Sequence, residues 1–173
     1  MLGFGRKKRP DPDASQLLAT ILVIYNMIST VSYDPEDGMI RLSFALKGQP
    51  SEGDFKEFAA KSVDSIEAYH HLEGFVNTRV EMYMEGVGET YFLHVKRDMK
   101  TLSRGEISIL TTLVEESFSN FLIIDDIGGT ADADFILMQE DRLDQMLGMA
   151  RQMTIPDRLV GIREQERVVV YAK

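Results

Sequence analysis

Apolar positions along the chain follow two spacings, and each spacing marks a different element. Leu17, Leu18, Ile21, Ile24, Tyr25 and Ile28 recur at steps of three and four, the mark of a helix with one buried face. Asp13 followed by Gln16 reads as a capping box, so the helix is predicted to start at Asp13. Its β-branched end could give way to strand as early as Leu22. Ile40, Leu42, Phe44 and Leu46 then alternate with Arg41, Ser43 and Ala45, a period of two that belongs to a half-buried strand. Ser29–Tyr33 pairs with it as a hairpin through Asp34-Pro35-Glu36-Asp37-Gly38, where Pro presets φ and Gly supplies a positive one.

The same sequence of patterns returns. Phe55, Phe58, Ala59, Ser62, Ile66 and Tyr69 stripe a helix over about 53–72, with His70 and His71 in an exposed last turn and Gly74 as its C-cap. Val80, Met82 and Met84 form a strand that turns at Gly86-Val87-Gly88 into Tyr91, Leu93 and Val95. His94 falls on the opposite face, beside Phe92. Ser103 with Glu106 makes a second capping box ahead of Ile107, Leu110, Val114, Ser117, Phe118 and Phe121. Phe121–Ile124 fits a short strand or the helix end, Leu143, Met146, Leu147, Ala150 and Met153 stripe a helix over 141–153, and 159–171 reads as a hairpin turning at Gln165-Glu166. The fold class is therefore α+β: an antiparallel sheet built from β-hairpins with helices on one face. Its order is α-ββ-α-ββ-α followed by a helix and a C-terminal hairpin, in a single domain over 13–173 behind a flexible basic tail at 1–12.

The α-ββ-α-ββ-α order over about residues 13–121 resembles the fold of type III secretion chaperones and related bacterial regulators. The family commonly has three strands between its first two helices, where this chain shows two, and residues 122–173 lie outside the pattern. The resemblance implies a non-enzymatic, dimeric, partner-binding protein and transfers no functional residue.

Composition narrows the chemistry. The chain of 173 residues has a net charge of -9 and neither Cys nor Trp. Without Cys, disulfides, thiolate nucleophiles and Cys-ligated metals are excluded. Residues 1–10 hold four of the 19 basic residues and no acid, which leaves 15 basic against 28 acidic residues, a net -13, for the remainder. An acidic body opposes broad nucleic-acid binding. Membrane or anion contact is confined to the tail at 1–9, through Arg6, Lys7, Lys8 and Arg9. The apolar run at 17–28 is too short to span a bilayer and no cleavage pattern follows it, so a cytoplasmic protein is expected.

No phosphate-binding loop, dinucleotide fingerprint or nucleophile elbow is present. Acidic residues crowd the stretch 125–144, and Asp125, Asp126, Asp132 and Asp134 flank Gly128-Gly129, a loop composition that suits Mg²⁺ or Ca²⁺. Turn formation and helix capping suit the same residues. Glu67 and His70 have the E-x-x-H spacing of di-iron bundles but lack the second motif such sites need. Met146, Met149 and Met153 share a helix face, and methionine repacks readily around varied partners. The leading expectation is a non-enzymatic protein-binding or regulatory module, soluble, homodimeric and free of cofactor. A divalent-metal-dependent enzyme using the acidic loop and a peripheral membrane protein held by its tail are the alternatives.

Overall fold

The structure, a computed structural model, describes residues 10–75, 79–125 and 132–173. Its elements follow the expected order: α1 (Pro12–Ile24), β1 (Thr30–Asp34), β2 (Met39–Leu46), α2 (Glu52–Glu73), β3 (Val80–Val87), β4 (Thr90–Asp98), α3 (Arg104–Phe118), α4 (Ala133–Ala150), β5 (Leu159–Glu164) and β6 (Arg167–Ala172). The strands form one antiparallel sheet in the order β3-β4-β2-β1-β5-β6. Three hairpins thus lie side by side, joined where β2 pairs with β4 and β1 with β5.

Register turns the alternation into two faces. One row runs Met82, Val95, Leu42, Val31, Gly161, Val170 across all six strands, and the next row on the same face runs Val80, Arg97, Ile40, Tyr33, Leu159, Ala172. The helices cover this face, and the buried apolar side chains between form one cluster. Phe58 of α2 meets Phe118 of α3 with ring centroids 5.1 Å apart. α1 crosses the sheet over Gly161, where a Cβ would stand 3.2 Å from Leu22 Cδ1 and 3.6 Å from Leu18 Cβ. The absence of a side chain there lets helix and sheet touch.

Local chemistry shifts several boundaries. α1 begins one residue before the expected start: Asp11 is the N-cap, its Oδ1 accepting from the N–H groups of Asp13 and Ala14, with Pro12 in the first turn. Proline suits that position because its missing N–H would be unsatisfied anyway. The middle hairpin turns later than expected, with Val87 opposite Thr90 and Gly88 at φ +63°. Gln165 and Glu166 both adopt positive φ, the geometry of a two-residue hairpin turn that matches strand twist. Leu122 bridges to Leu46, so 121–123 acts as a short extension beside β2, held by Lys47 N–H to Phe121 O (2.8 Å) and Ile123 N–H to Ala45 O (2.9 Å). α4 starts at Ala133, well before the expected 141, so most of the acidic stretch is helix.

Candidate functional site

Three places gather polar or exposed apolar side chains: the core-facing end of β4, the uncovered sheet face, and α4 with its neighbour α1.

At the first, strand alternation carries Arg97 into the buried row after Leu93 and Val95, leaving its side chain 1% exposed. All five of its N–H groups meet acceptors. Nε and Nη2 bind the two carboxylate oxygens of Glu106 on α3. Nη1 reaches Arg79 O (2.6 Å) and Asp98 Oδ1 (2.5 Å), and Nη2 also approaches Thr101 Oγ1 (3.1 Å). His70 of α2 places Nε2 2.7 Å from Glu106 Oε2 and 3.0 Å from Arg97 Nη2. Burial pushes the Asp98 pKa up, but the Thr101 hydroxyl, the Arg79 N–H and Arg97 outweigh it and hold the carboxyl below the usual range. These contacts tie α2, α3 and β4 together at a buried point and leave no surface for a substrate. They also correct two expectations. His70 is buried rather than exposed, while Glu67 and His71 stay on the surface. The Glu106 side chain serves Arg97 and His70, although Ser103 does cap α3 by accepting from Glu106 N–H. A signal for this was present: Arg97 continues the Leu93, Val95 alternation, and Glu106 and His70 continue the four-residue spacing of Leu110, Val114 and of Ile66, Ser62.

The uncovered face carries the row Tyr83, His94, Ser43, Thr30, Ile162, Val169. Ser43 Oγ lies 2.7 Å from His94 Nδ1, and His94 Nε2 lies 3.8 Å from Glu85 Oε1 with no hydrogen-bond partner. The Tyr83 ring (4.9 Å) and the Phe92 ring (6.0 Å, stacked) flank the imidazole. Burial, then the positive charge of Arg41, pull the His94 pKa below its ordinary value against the opposing Glu85. Hydroxyl, imidazole and carboxylate stand in the order of a nucleophile–base–acid chain. Ser43 is only 2% exposed, however, so its oxygen is closed to any substrate. Beside them, Arg41 donates to Tyr83 Oη (3.3 Å) and Lys96 pairs with Asp37 (3.0 Å).

The third place holds the exposed apolar surface. At about 100° per residue, Phe135, Met138, Met146 and Met149 of α4 fall within an arc of roughly 80°. Phe135, Met138 and Met149 are 42%, 51% and 58% exposed. The neighbouring arc, Gln139, Leu143, Leu147 and Ala150, centred roughly 95° away, is the one buried against the core. Below Met149 a groove of about 280 Å³ opens between α4 and α1, lined by Met146, Met149 and Met153 together with Ala14, Leu17 and Ile155. The three methionines singled out in the sequence thus converge, with Met146 and Met153 partly packed on the core and Met149 facing outward. Thr20 of α1 donates its hydroxyl to Gln16 O (2.7 Å), with Met146 Sδ 3.8 Å from the same oxygen. Asp13, Asp134 and Asp141 lie exposed nearby on the same two helices.

The acidic residues proposed for metal are spread out. Asp132 is the N-cap of α4, accepting from Asp134 N–H (3.2 Å), and Asp134 sits in the first turn of that helix. Asp125 lies 3.3 Å from Arg163, whose buried guanidinium also donates to Leu22 O, Tyr25 O and Ile28 O at the end of α1. Asp126 lies outside the described residues, as do Arg6, Lys7, Lys8 and Arg9. Among the described residues no group of three or more His, Asp or Glu could hold a metal ion, and no helix is long and apolar enough to cross a membrane.

No family model, curated protein or solved structure matches this chain.

Proposed function

We propose that the chain is a non-catalytic protein-binding domain, and that α4 with the α1–α4 groove takes a basic amphipathic helix from a partner protein. The observation that carries this reading is the apolar arc on α4. Three large side chains stay in water on one helix arc, beside the arc that the same helix buries against the core. Apolar exposure on one arc, here with Arg142 set among the apolar side chains, marks an interaction surface. The groove is small for a whole ligand, since small-molecule sites usually exceed about 300 Å³. It suits one or two anchor side chains of a docked helix, which methionine can accommodate by changing rotamer. Exposed Asp13, Asp134 and Asp141 outnumber Arg142, which lines the groove with Asp13, and favour lysine or arginine beside those anchors. The resemblance in element order to secretion chaperones supports the same class of function.

Selection of binding peptides from a random displayed library tests the proposal. Recovered peptides should combine apolar anchors at helical spacing with basic flanks, and Met149→Glu should abolish their binding. Failure to recover any peptide, or undiminished binding to Met149→Glu, would contradict the assignment.

A further inference from the structure

The sheet ends at two edges that differ in kind. β3 alternates Glu81 and Glu85 with Tyr83 and Val87, so a second β3 laid against it would bring carboxylates together. β6 reads Val168-Val169-Val170-Tyr171-Ala172 with no proline, no glycine and no charge between Arg167 and Lys173. Edge strands usually carry a charge, a bulge or a proline that blocks further pairing, and this one carries none within the run. Among the described residues nothing pairs with its outer side.

The hairpin fixes which backbone groups are free. Glu164 and Arg167 close the two-residue turn, so they form a hydrogen-bonded pair, as do Ile162 with Val169 and Val160 with Tyr171. Lys173 N–H donates to Arg158 O (2.8 Å) in the same phase. The N–H and C=O groups of Val168, Val170 and Ala172 therefore point outward. Their side chains lie on the helix-covered face, against the core.

We propose that β6 pairs antiparallel with β6 of a second copy of this chain, in a two-fold register centred on Val169. This inference rests on the reading of the chain as a partner-binding domain and names one partner, at a surface distinct from α4. In that register Val168 of each copy faces Val170 of the other, and each pair exchanges two backbone hydrogen bonds. Val169 meets its own counterpart on the uncovered face, and Arg167 lies opposite Tyr171. Shifting the centre to Val170 would instead oppose Arg167 with Lys173, two like charges, which disfavours it. Self-pairing also closes the assembly, whereas β6 on β3 would repeat head to tail into a filament. A two-fold axis normal to the sheet keeps both cores on one side and makes one sheet continuous through the two copies.

Light scattering combined with amide hydrogen exchange on the whole chain tests this. The wild-type mass should be twice 19.6 kDa at submillimolar concentration. The Val168 and Val170 amides should exchange slowly and become fast on dilution to monomer. Val169→Lys sets two cations opposite each other at the axis and should restore the 19.6 kDa mass with unchanged circular dichroism. Met149→Glu should leave the dimer intact while removing peptide binding, which separates this proposal from the α4 surface. A monomer at high concentration, a filament, a dimer with fast Val168 and Val170 amides, or a dimer dissociated by Met149→Glu would each overturn it. If Val169→Lys fails to fold, the wild-type exchange pattern decides.

Discussion

The two ends of the sheet are finished in opposite ways. At the β3–β4 end, Arg97 and Glu106 bring charge into the interior beside His70, and every Arg97 donor meets a partner. At the β5–β6 end the buried guanidinium of Arg163 only ties down carbonyls at the end of α1, α1 rests directly on Gly161, and apolar side chains run along β6, while α4, packed against α1 and α3, exposes Phe135, Met138 and Met149. The first end satisfies its buried polar groups internally, and its edge strand β3 carries Glu81 and Glu85. The second leaves apolar surface and backbone groups that the described residues do not cover. On the proposals above, recognition falls to α4 and β6, and the Arg97 network has an architectural role.

The largest effect should come from breaking the β3–β4 end. Glu106→Ala leaves the Arg97 guanidinium buried without its main counter-charge and should cost about 3–5 kcal/mol, read from urea unfolding. A loss below about 1 kcal/mol, the size typical of exposed pairs, would show that water reaches the network. At the other end, Gly161→Val forces a branched side chain under Leu22 and should cost about 1–3 kcal/mol by overpacking. An unchanged stability would mean that α1 does not rest on the sheet there.

Acid sharpens the comparison on the uncovered face. His94 has a folded pKa below its ordinary value of about 6.5, so between the two values the unfolded chain binds more protons. Its contribution is therefore fully present above about pH 6.5 and is lost as the pH falls toward the lower folded value. Unfolding of His94→Gln should show a flatter pH dependence in that window, and equal slopes for the two proteins would contradict the burial of the imidazole. Smaller still, Asp132→Ala removes the α4 cap and should cost about 1 kcal/mol. Met149→Ala should change stability by less than about 0.5 kcal/mol while weakening partner binding, because its side chain is mostly in water.

Strand alternation made the hairpins and their order legible, since period two survives in Ile40–Leu46 and Tyr91–Val95 without help from tertiary contacts. Helix starts were less legible because several acids compete for each cap. Asp11 and Asp13 both stand at the start of α1, and Pro12 decides for Asp11 by occupying the first turn. α4 was foreshortened in the sequence because its N-terminal half inverts the usual pattern, burying Gln139 and exposing Phe135 and Met138. That inversion is itself the signature of the proposed surface. The Arg97 network is hard to read from sequence because each member looks like an ordinary polar residue until register turns Arg97 inward and the packing of α2 and α3 brings His70 and Glu106 to it. The methionine cluster was visible as a spacing, but only the packing of α1 beside α4 shows that it opens on a groove.

Methionine methyl groups sit in both regions, Met82 and Met84 on β3 and Met138, Met146, Met149 and Met153 in and after α4. A methyl NMR titration with a library-selected basic helical peptide therefore reads the comparison in one spectrum. Shifts at Met138, Met146, Met149 and Met153, with Met82 and Met84 unmoved, are the predicted result. Shifts confined to Met82 and Met84 would place recognition at the β3–β4 end and contradict the account.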